Sequence, residues 1–245
     1  MRPVLFRWRG LTIWSYPAMI YLGLVGAVVV GNAVAHADGL EAFRVYVAML
    51  VLSGPALLGA KLLYIATHWE LYRPDPSQIW NRDQGGAAQY GGILVALPLS
   101  VPLLAALGLP FGAFWDVAIF GLLVLMIFGR VGCVLNGCCA GRPSRSWLAV
   151  TSRDRSGVWA RRLPTPYLEG ALALLLLALA VAARGSLPFP GALFLLIAAG
   201  YAAGRLPLES SRERRPGARS LTIHHAISAV MLVVCLSILA AGWLK

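Results

Sequence analysis

The sequence predicts an all-α, polytopic membrane protein with about seven transmembrane helices, forming a single domain over residues 1–245. Three observations lead there. Of the 245 residues, 59% are hydrophobic and only 13% are charged, about half the ~25% of a soluble domain. Uncharged runs recur at the length of about 20 residues that crosses a bilayer core. Short polar stretches separate them and leave no room for a large soluble domain. A disordered chain, a coiled coil and an ordinary cytosolic enzyme are thereby excluded. The balance of 21 Lys and Arg against 10 Asp and Glu gives +11. In a soluble chain that would suggest nucleic acid. Here it points to anionic lipid headgroups and to control of topology, with no nucleic-acid partner.

Taken in order, the first span covers residues 11–35, which carry no charge. It reaches full span length without an early small-residue cleavage pattern, so no cleavable signal peptide is expected. The second covers 45–67 and is interrupted only by Lys61. The third covers 85–107 and includes Tyr90-Gly91-Gly92. A turn at Gly108-Leu109-Pro110-Phe111-Gly112 follows. The fourth begins near Phe114 and has only the uncharged stretch 117–129 before Arg130. That stretch is too short to cross, which places Arg130 at membrane depth. The fifth covers 164–183 with Glu169 near its start, the sixth 186–204 up to Arg205, and the seventh 220–244. Between spans four and five lies a polar, Arg-rich head segment, 141–163. Trp14, Trp69, Trp80, Trp115 and Trp243 sit near span ends, as an aromatic belt would.

Charge inside a span is costly and marks function by default. Lys61, Arg130, Glu169 and Arg205 stand out. Arg205 and Glu209 are spaced i,i+4, and Glu209 and Arg212 i,i+3, so one helix face can carry all three. Pro207 is expected to kink or end that helix. The plain alternative is a set of ion pairs that neutralise one another. More arginines than carboxylates at depth favours an anionic ligand, and the planar guanidinium fork suits phosphate. Gly129-Arg130-Val131-Gly132 and Gly137-Cys138-Cys139-Ala140-Gly141 read as a glycine-rich break around Asn136, with helix packing by small residues as the alternative. Cys133-x4-Cys138-Cys139 is not a zinc spacing, and Cys235 lies in an apolar run, so no metal or other cofactor is expected.

Six segments in order resemble the prolipoprotein diacylglyceryl transferase family. Ile13-Trp14-Ser15-Tyr16-Pro17 is similar to its Arg-Trp-Tyr-Gly segment, and Gly59-Ala60-Lys61-Leu62-Leu63-Tyr64 to Gly-Gly-Arg-Ile-Gly-Tyr. Gln89-Tyr90-Gly91-Gly92 resembles His-Gly-Gly. The stretch from Gly129-Arg130 through Asn136-Gly137 to Gly141 resembles the signature Gly-Arg-x-Gly-Asn-Phe-x-Asn-Gly. The run from Leu163 to Gly170 resembles His-Pro-Ser-Gln-Leu-Tyr-Glu, and Arg205-x3-Glu209-x2-Arg212 resembles Arg-x3-Glu-x2-Arg.

The resemblance implies a seven-span enzyme of the bacterial inner membrane. Such an enzyme moves diacylglyceryl from phosphatidylglycerol, or another anionic phospholipid, to the cysteine thiol of a lipoprotein precursor, whose signal peptide it binds. It implies catalytic roles for Tyr90, Arg130, Arg205 and Glu209. Substrate contacts would come from Tyr16, Lys61, Gly91, Gly92, Asn136, Gly141, Glu169 and Arg212. Arg130 and Arg205 would hold the phosphate, Asn136 and Tyr16 would orient the headgroup, Glu209 would fix an arginine, and Gly141 would allow close lipid approach. Where the family has the His proposed as base for the thiol, this chain has Tyr90. A phenol, with a pKa of about 10, acts as a base only if a nearby Arg lowers it.

The bases are unevenly placed. Arg44, Arg184 and Lys245 are the only ones assigned to one face. The remainder, apart from Lys61 within a span, fall on the other. The positive-inside rule puts that Arg-rich face in the cytoplasm, whereas the family places it outside. Two alternatives therefore stand: a relative with the same lipid pocket, another acceptor and inverted topology, or a non-catalytic lipid-binding protein.

Overall fold

The computed structural model describes residues 4–9, 11–80, 88–137, 141–153, 158–212 and 223–244. Among them, seven helices are long and apolar enough to cross a membrane: α1 (Ser15–Ala37), α2 (Ala42–Thr67), α4 (Gln89–Leu107), α5 (Phe111–Asn136), α6 (Thr165–Ala183), α7 (Ala192–Ser210) and α8 (Ile223–Trp243). A single-turn helix, α3 (Trp69–Tyr72), and a 3-10 turn at Pro76–Trp80 follow α2. The expected all-α membrane architecture is present, and the seven spans make this a multi-pass membrane protein.

α5 is the central helix. It packs against α1, α6 and α7 and touches α4, while α2 pairs with α4 and α8 with α7. Phe114, Trp115, Val117, Ile119, Phe120 and Leu123 of α5 are all buried in the two main core clusters. The α2–α4 contact is a backbone approach. A Cβ on Gly59 would lie 2.4 Å from the carbonyl oxygen of Gly91, and one on Gly91 would lie 2.2 Å from that of Gly59. In a membrane, helices associate through such close packing because lipid tails offer no hydrophobic drive.

Several boundaries differ from expectation. Residues 11–14 are not helical: β1 (Val4–Trp8) and β2 (Leu11–Trp14) form an antiparallel hairpin ahead of α1. Leu-Thr-Ile-Trp is rich in residues that suit a pleated strand. The head segment carries a second hairpin, β3 (Val150–Arg153) with β4 (Trp159–Arg162). The fourth span starts at Phe111, directly after the turn at Gly108, whose φ of +64° is left-handed. Gly129 to Gly132 is no break: α5 runs unbroken to Asn136, and Gly137, at φ +68°, ends it. Cys138 and Cys139 lie outside the described residues. The sixth span starts later than expected, at Ala192, and runs past Pro207 to Ser210.

Pro207 removes one backbone donor, but the end of α7 is held from outside. The Thr165 and Ser211 hydroxyls meet at 2.9 Å, and the Arg142 N–H donates to the Ser211 carbonyl at 2.9 Å. At the far end of the bundle, Asp116 of α5 accepts the N–H groups of Gly191 and Phe194 at 2.6 and 2.8 Å. It thereby satisfies donors that the first turn of α7 leaves open. Arg184 pairs with Asp38 at 2.6 Å and ties the end of α6 to the end of α1.

The Gly59–Gly91 contact makes a direct prediction. Gly59→Val must push α2 off α4 and costs about 1–3 kcal/mol. Thermal unfolding in detergent should show a lowered midpoint, whereas Gly54→Val, where a Cβ meets nothing within 4 Å, should not.

Candidate functional site

The alternation of seven spans brings the start of α6 and the ends of α5 and α7 to one end of the bundle. Glu169, in the first turns of α6, is 2% exposed. It is the meeting point of three guanidinium groups. Arg130 Nη1 of α5 lies 2.6 Å from its Oε2. Arg212 Nη2, just beyond α7, donates to its Oε1 at 2.8 Å. Arg205 Nη1 of α7 donates to the same oxygen. The second carboxylate, Glu209, accepts from Arg205 Nη2 at 2.6 Å and lies 3.7 Å from Arg212 Nε. The i,i+4 and i,i+3 spacings thus share one face, as expected. Arg205 and Glu209 are both buried.

These five side chains carry three positive and two negative charges. Glu169 caps all three arginines, which a purely structural network would also do. Two features go further. The cluster retains one net positive charge in a setting where uncompensated charge is expensive. The buried Nε of Arg205 finds no acceptor among the described residues, and buried donors ordinarily have one. Both suit an oxygen-rich anion.

The backbone around this cluster is knitted together. Gly141 pairs with Arg212 in an isolated bridge, and its N–H donates to the Leu163 carbonyl at 3.2 Å. A Cβ on Gly141 would meet that carbonyl at 2.3 Å and the Thr165 hydroxyl at 2.5 Å. Gly141 therefore admits close approach of its own chain rather than of lipid. The same correction applies to Gly91 and Gly92. Gly91 packs on the Gly59 backbone, and a Cβ on Gly92 would lie 3.0 Å from the Ala56 carbonyl oxygen, so both glycines serve the α2–α4 contact.

The other expected residues are distributed as follows. Tyr16, in the first turn of α1, packs its ring edge against Gly132, two residues beyond Arg130 on α5. Asn136 is the last residue of α5 and is half-buried. The Lys61 Nζ stands 5.8 Å from the centroid of the Tyr72 ring. That is within the range of a cation–π contact and apart from the Glu169 ion pairs.

Tyr90 is 3% exposed. Its hydroxyl meets the Ser228 hydroxyl of α8 at 2.6 Å, and Ser228 donates to the His224 backbone carbonyl at 2.8 Å. The Tyr90 ring lies edge-on to Tyr201, with centroids 5.9 Å apart, and 6.2 Å from the His224 ring. The Tyr201 hydroxyl donates to the Gln89 side-chain oxygen at 3.0 Å. Sequence reasoning missed Tyr201, His224 and Ser228. Tyr201 precedes Arg205 by four residues, and His224 precedes Ser228 by four. Helical spacing therefore held a signal for both pairs.

Comparison with known proteins shows which family the chain is similar to. The family model described as prolipoprotein diacylglyceryl transferase matches residues 3–241. A protein of Clostridium perfringens named phosphatidylglycerol–prolipoprotein diacylglyceryl transferase 2 is 31% identical over 156 residues, covering 61% of this chain and 59% of that protein. Proteins carrying that name without the numeral are similar over longer stretches. One from Dehalococcoides mccartyi is 27% identical over 95% of this chain and 90% of its own length. One from Rhizobium meliloti is 30% identical over 86% and 77%. The first relative is thus matched over less than two thirds of its length, whereas the family model runs almost from end to end. The chain belongs to the prolipoprotein diacylglyceryl transferase family.

Proposed function

We propose that this chain is a diacylglyceryl transferase of the bacterial cytoplasmic membrane. It takes diacylglyceryl from phosphatidylglycerol and attaches it to a cysteine thiol of a lipoprotein precursor, recognised with its signal peptide. The observation that carries this reading is the excess of guanidinium over carboxylate in the Arg130, Glu169, Arg205, Glu209 and Arg212 cluster. The names of the relatives supply the donor and the acceptor. Their bacterial sources fit the location.

In this reading the thiolate sulfur attacks the glycerol carbon that bears the phosphate. A carbon–sulfur bond forms and the carbon–oxygen bond breaks. The electron pair stays on the phosphate of the departing glycerol phosphate, and no cofactor is required. Arg130 and Arg205 hold the phosphate and stabilise the charge that grows on it, the kind of preorganised stabilisation that dominates many enzymes. Glu169 and Glu209 hold the guanidinium groups in place beforehand, so little reorganisation remains at the moment of reaction. Arg212 adds a third positive group at the more open edge, its side chain 30% exposed. Tyr16 and Asn136 flank the Arg130 turn from α1 and from the end of α5.

A second reading is favoured by the distribution of charge. The Arg-rich end contains this cluster, whereas Arg44 and Arg184 lie at the opposite end. The positive-inside rule assigns the Arg-rich end to the cytoplasm. A transferase acting there would need an acceptor other than an exported precursor.

Two experiments test these readings. Purified full-length protein, given phosphatidylglycerol and a synthetic peptide carrying the precursor cysteine, should yield peptide heavier by one diacylglyceryl group. Arg130→Gln and Arg205→Gln should each lower kcat by about 10²–10³, while Arg44→Gln at the far end leaves it unchanged. Absence of modified peptide under conditions where a relative works would refute the transfer. Second, an amino-terminal tag should be accessible from outside the cytoplasmic membrane. A cytoplasmic tag would contradict precursor lipidation and favour the inverted relative.

A further inference from the structure

Thiol attack needs a group that takes the thiol proton. The hydrogen-bond directions around Tyr90 disfavour the phenol. Ser228 has one hydroxyl proton and gives it to the His224 carbonyl at 2.8 Å. Its contact with Tyr90 at 2.6 Å therefore has the phenol as donor. With Ser228 turned to the carbonyl, Tyr90 donates in the chain from its own hydroxyl through Ser228 to the α8 backbone, and the Arg205 guanidinium also lies beside the phenol. Losing that proton would break the chain. A free phenol is also a far weaker acid than an imidazolium, about 10 against about 6.5.

The other titratable groups at this end are occupied. Glu209 and Glu169 accept from arginines. The Nδ1 of His68 lies 3.0 Å from the Thr67 hydroxyl and 3.1 Å from the Tyr64 carbonyl, and its ring stacks on Tyr64. The Nε2 of His225 faces the Ser210 hydroxyl at 3.5 Å. His36 is in the last turn of α1, at the opposite end. His224 differs from all of these. Its Nδ1 is buried and has no hydrogen-bond partner among the described residues. Its charged or titratable neighbours are Glu209 and Arg205 from α7, Arg212 beyond it, and His68 from the end of α2. Its ring lies beside that of Tyr90 from α4.

We propose that His224 is the catalytic base that accepts the proton of the acceptor thiol at Nδ1. This rests on the transfer reading above. In the tautomer protonated at Nε2, Nδ1 presents a lone pair. The thiol gives its proton there, and the resulting thiolate forms the carbon–sulfur bond as the carbon–oxygen bond to phosphate breaks. The glycerol phosphate leaves with the electron pair, and the imidazolium then returns its proton to that phosphate or to water. Glu209 offsets the transient imidazolium charge, which Arg205 and Arg212 oppose until the proton is passed on. Tyr90 is a positioning residue that fixes α8 through Ser228.

The test uses the full chain with phosphatidylglycerol and the cysteine peptide, measured as a function of pH. The wild-type rate should rise with pH through the imidazole range. His224→Gln should lower kcat about 10²–10⁴-fold and remove that rise, with phosphatidylglycerol binding retained. Added imidazole should restore part of the turnover of His224→Ala. Tyr90→Phe should slow the reaction without moving the rise. An active wild type whose His224→Gln variant keeps its rate and pH profile would overturn this inference alone. So would a His224→Ala variant that loses lipid binding together with activity and gains nothing from imidazole. A wild type that transfers nothing would overturn the transfer reading, and this inference with it.

Discussion

The end of the bundle that carries the arginine cluster depends on one buried carboxylate. Glu169 draws guanidinium groups from α5, from α7 and from the chain beyond α7 onto a single α6 position. Arg130 and Arg205 alone would be costly to place there. Removing a partner from a buried ion pair costs about 3–5 kcal/mol, so the four segments hold one another in register. The close Gly141–Leu163 backbone approach and the Thr165–Ser211 hydroxyl pair reinforce the same junction. The far end is secured separately, by Asp116 under the start of α7 and by Asp38 with Arg184. The bundle is thus fastened by polar contacts at both ends and by small-residue packing in between.

This arrangement reconciles stability with chemistry. A network of equal charges would be inert. Three arginines on two glutamates are instead held in place and still lack one negative charge. In the proposed transfer an anionic phosphate supplies it, and its binding strengthens as charge develops on the leaving group. Under that proposal the same excess positive charge serves both recognition of the lipid headgroup and stabilisation of the transition state.

Much of this was legible in the amino-acid sequence, and the limits are physical. Arg130, which stood out because the uncharged run before it is short, does join the buried Glu169 cluster. The shared face of Arg205, Glu209 and Arg212 followed from helical spacing. The central position of Glu169 was not legible, because which helices become neighbours is a tertiary matter. Gly91 and Gly141 illustrate a related limit. Sequence shows that a glycine permits close approach, not whether lipid, another helix or the chain itself does the approaching. The first hairpin escaped because residues 11–14 continue an apolar run whose strand character lies only in its Thr, Ile and Trp. The end of α7 was misjudged at Pro207 because the contacts that carry the helix past it come from Thr165 and Arg142, distant in sequence. His224 was overlooked inside an otherwise apolar span, although its spacing to Ser228 marks one face of α8.

The central claim is that the arginine cluster is built for an anionic headgroup. It is tested most directly by equilibrium binding of phosphatidylglycerol and of neutral phosphatidylcholine with matched acyl chains to the full-length protein. A clear preference for phosphatidylglycerol that disappears in Arg205→Gln is expected. Equal binding of the two lipids, or a preference untouched by that substitution, would contradict it.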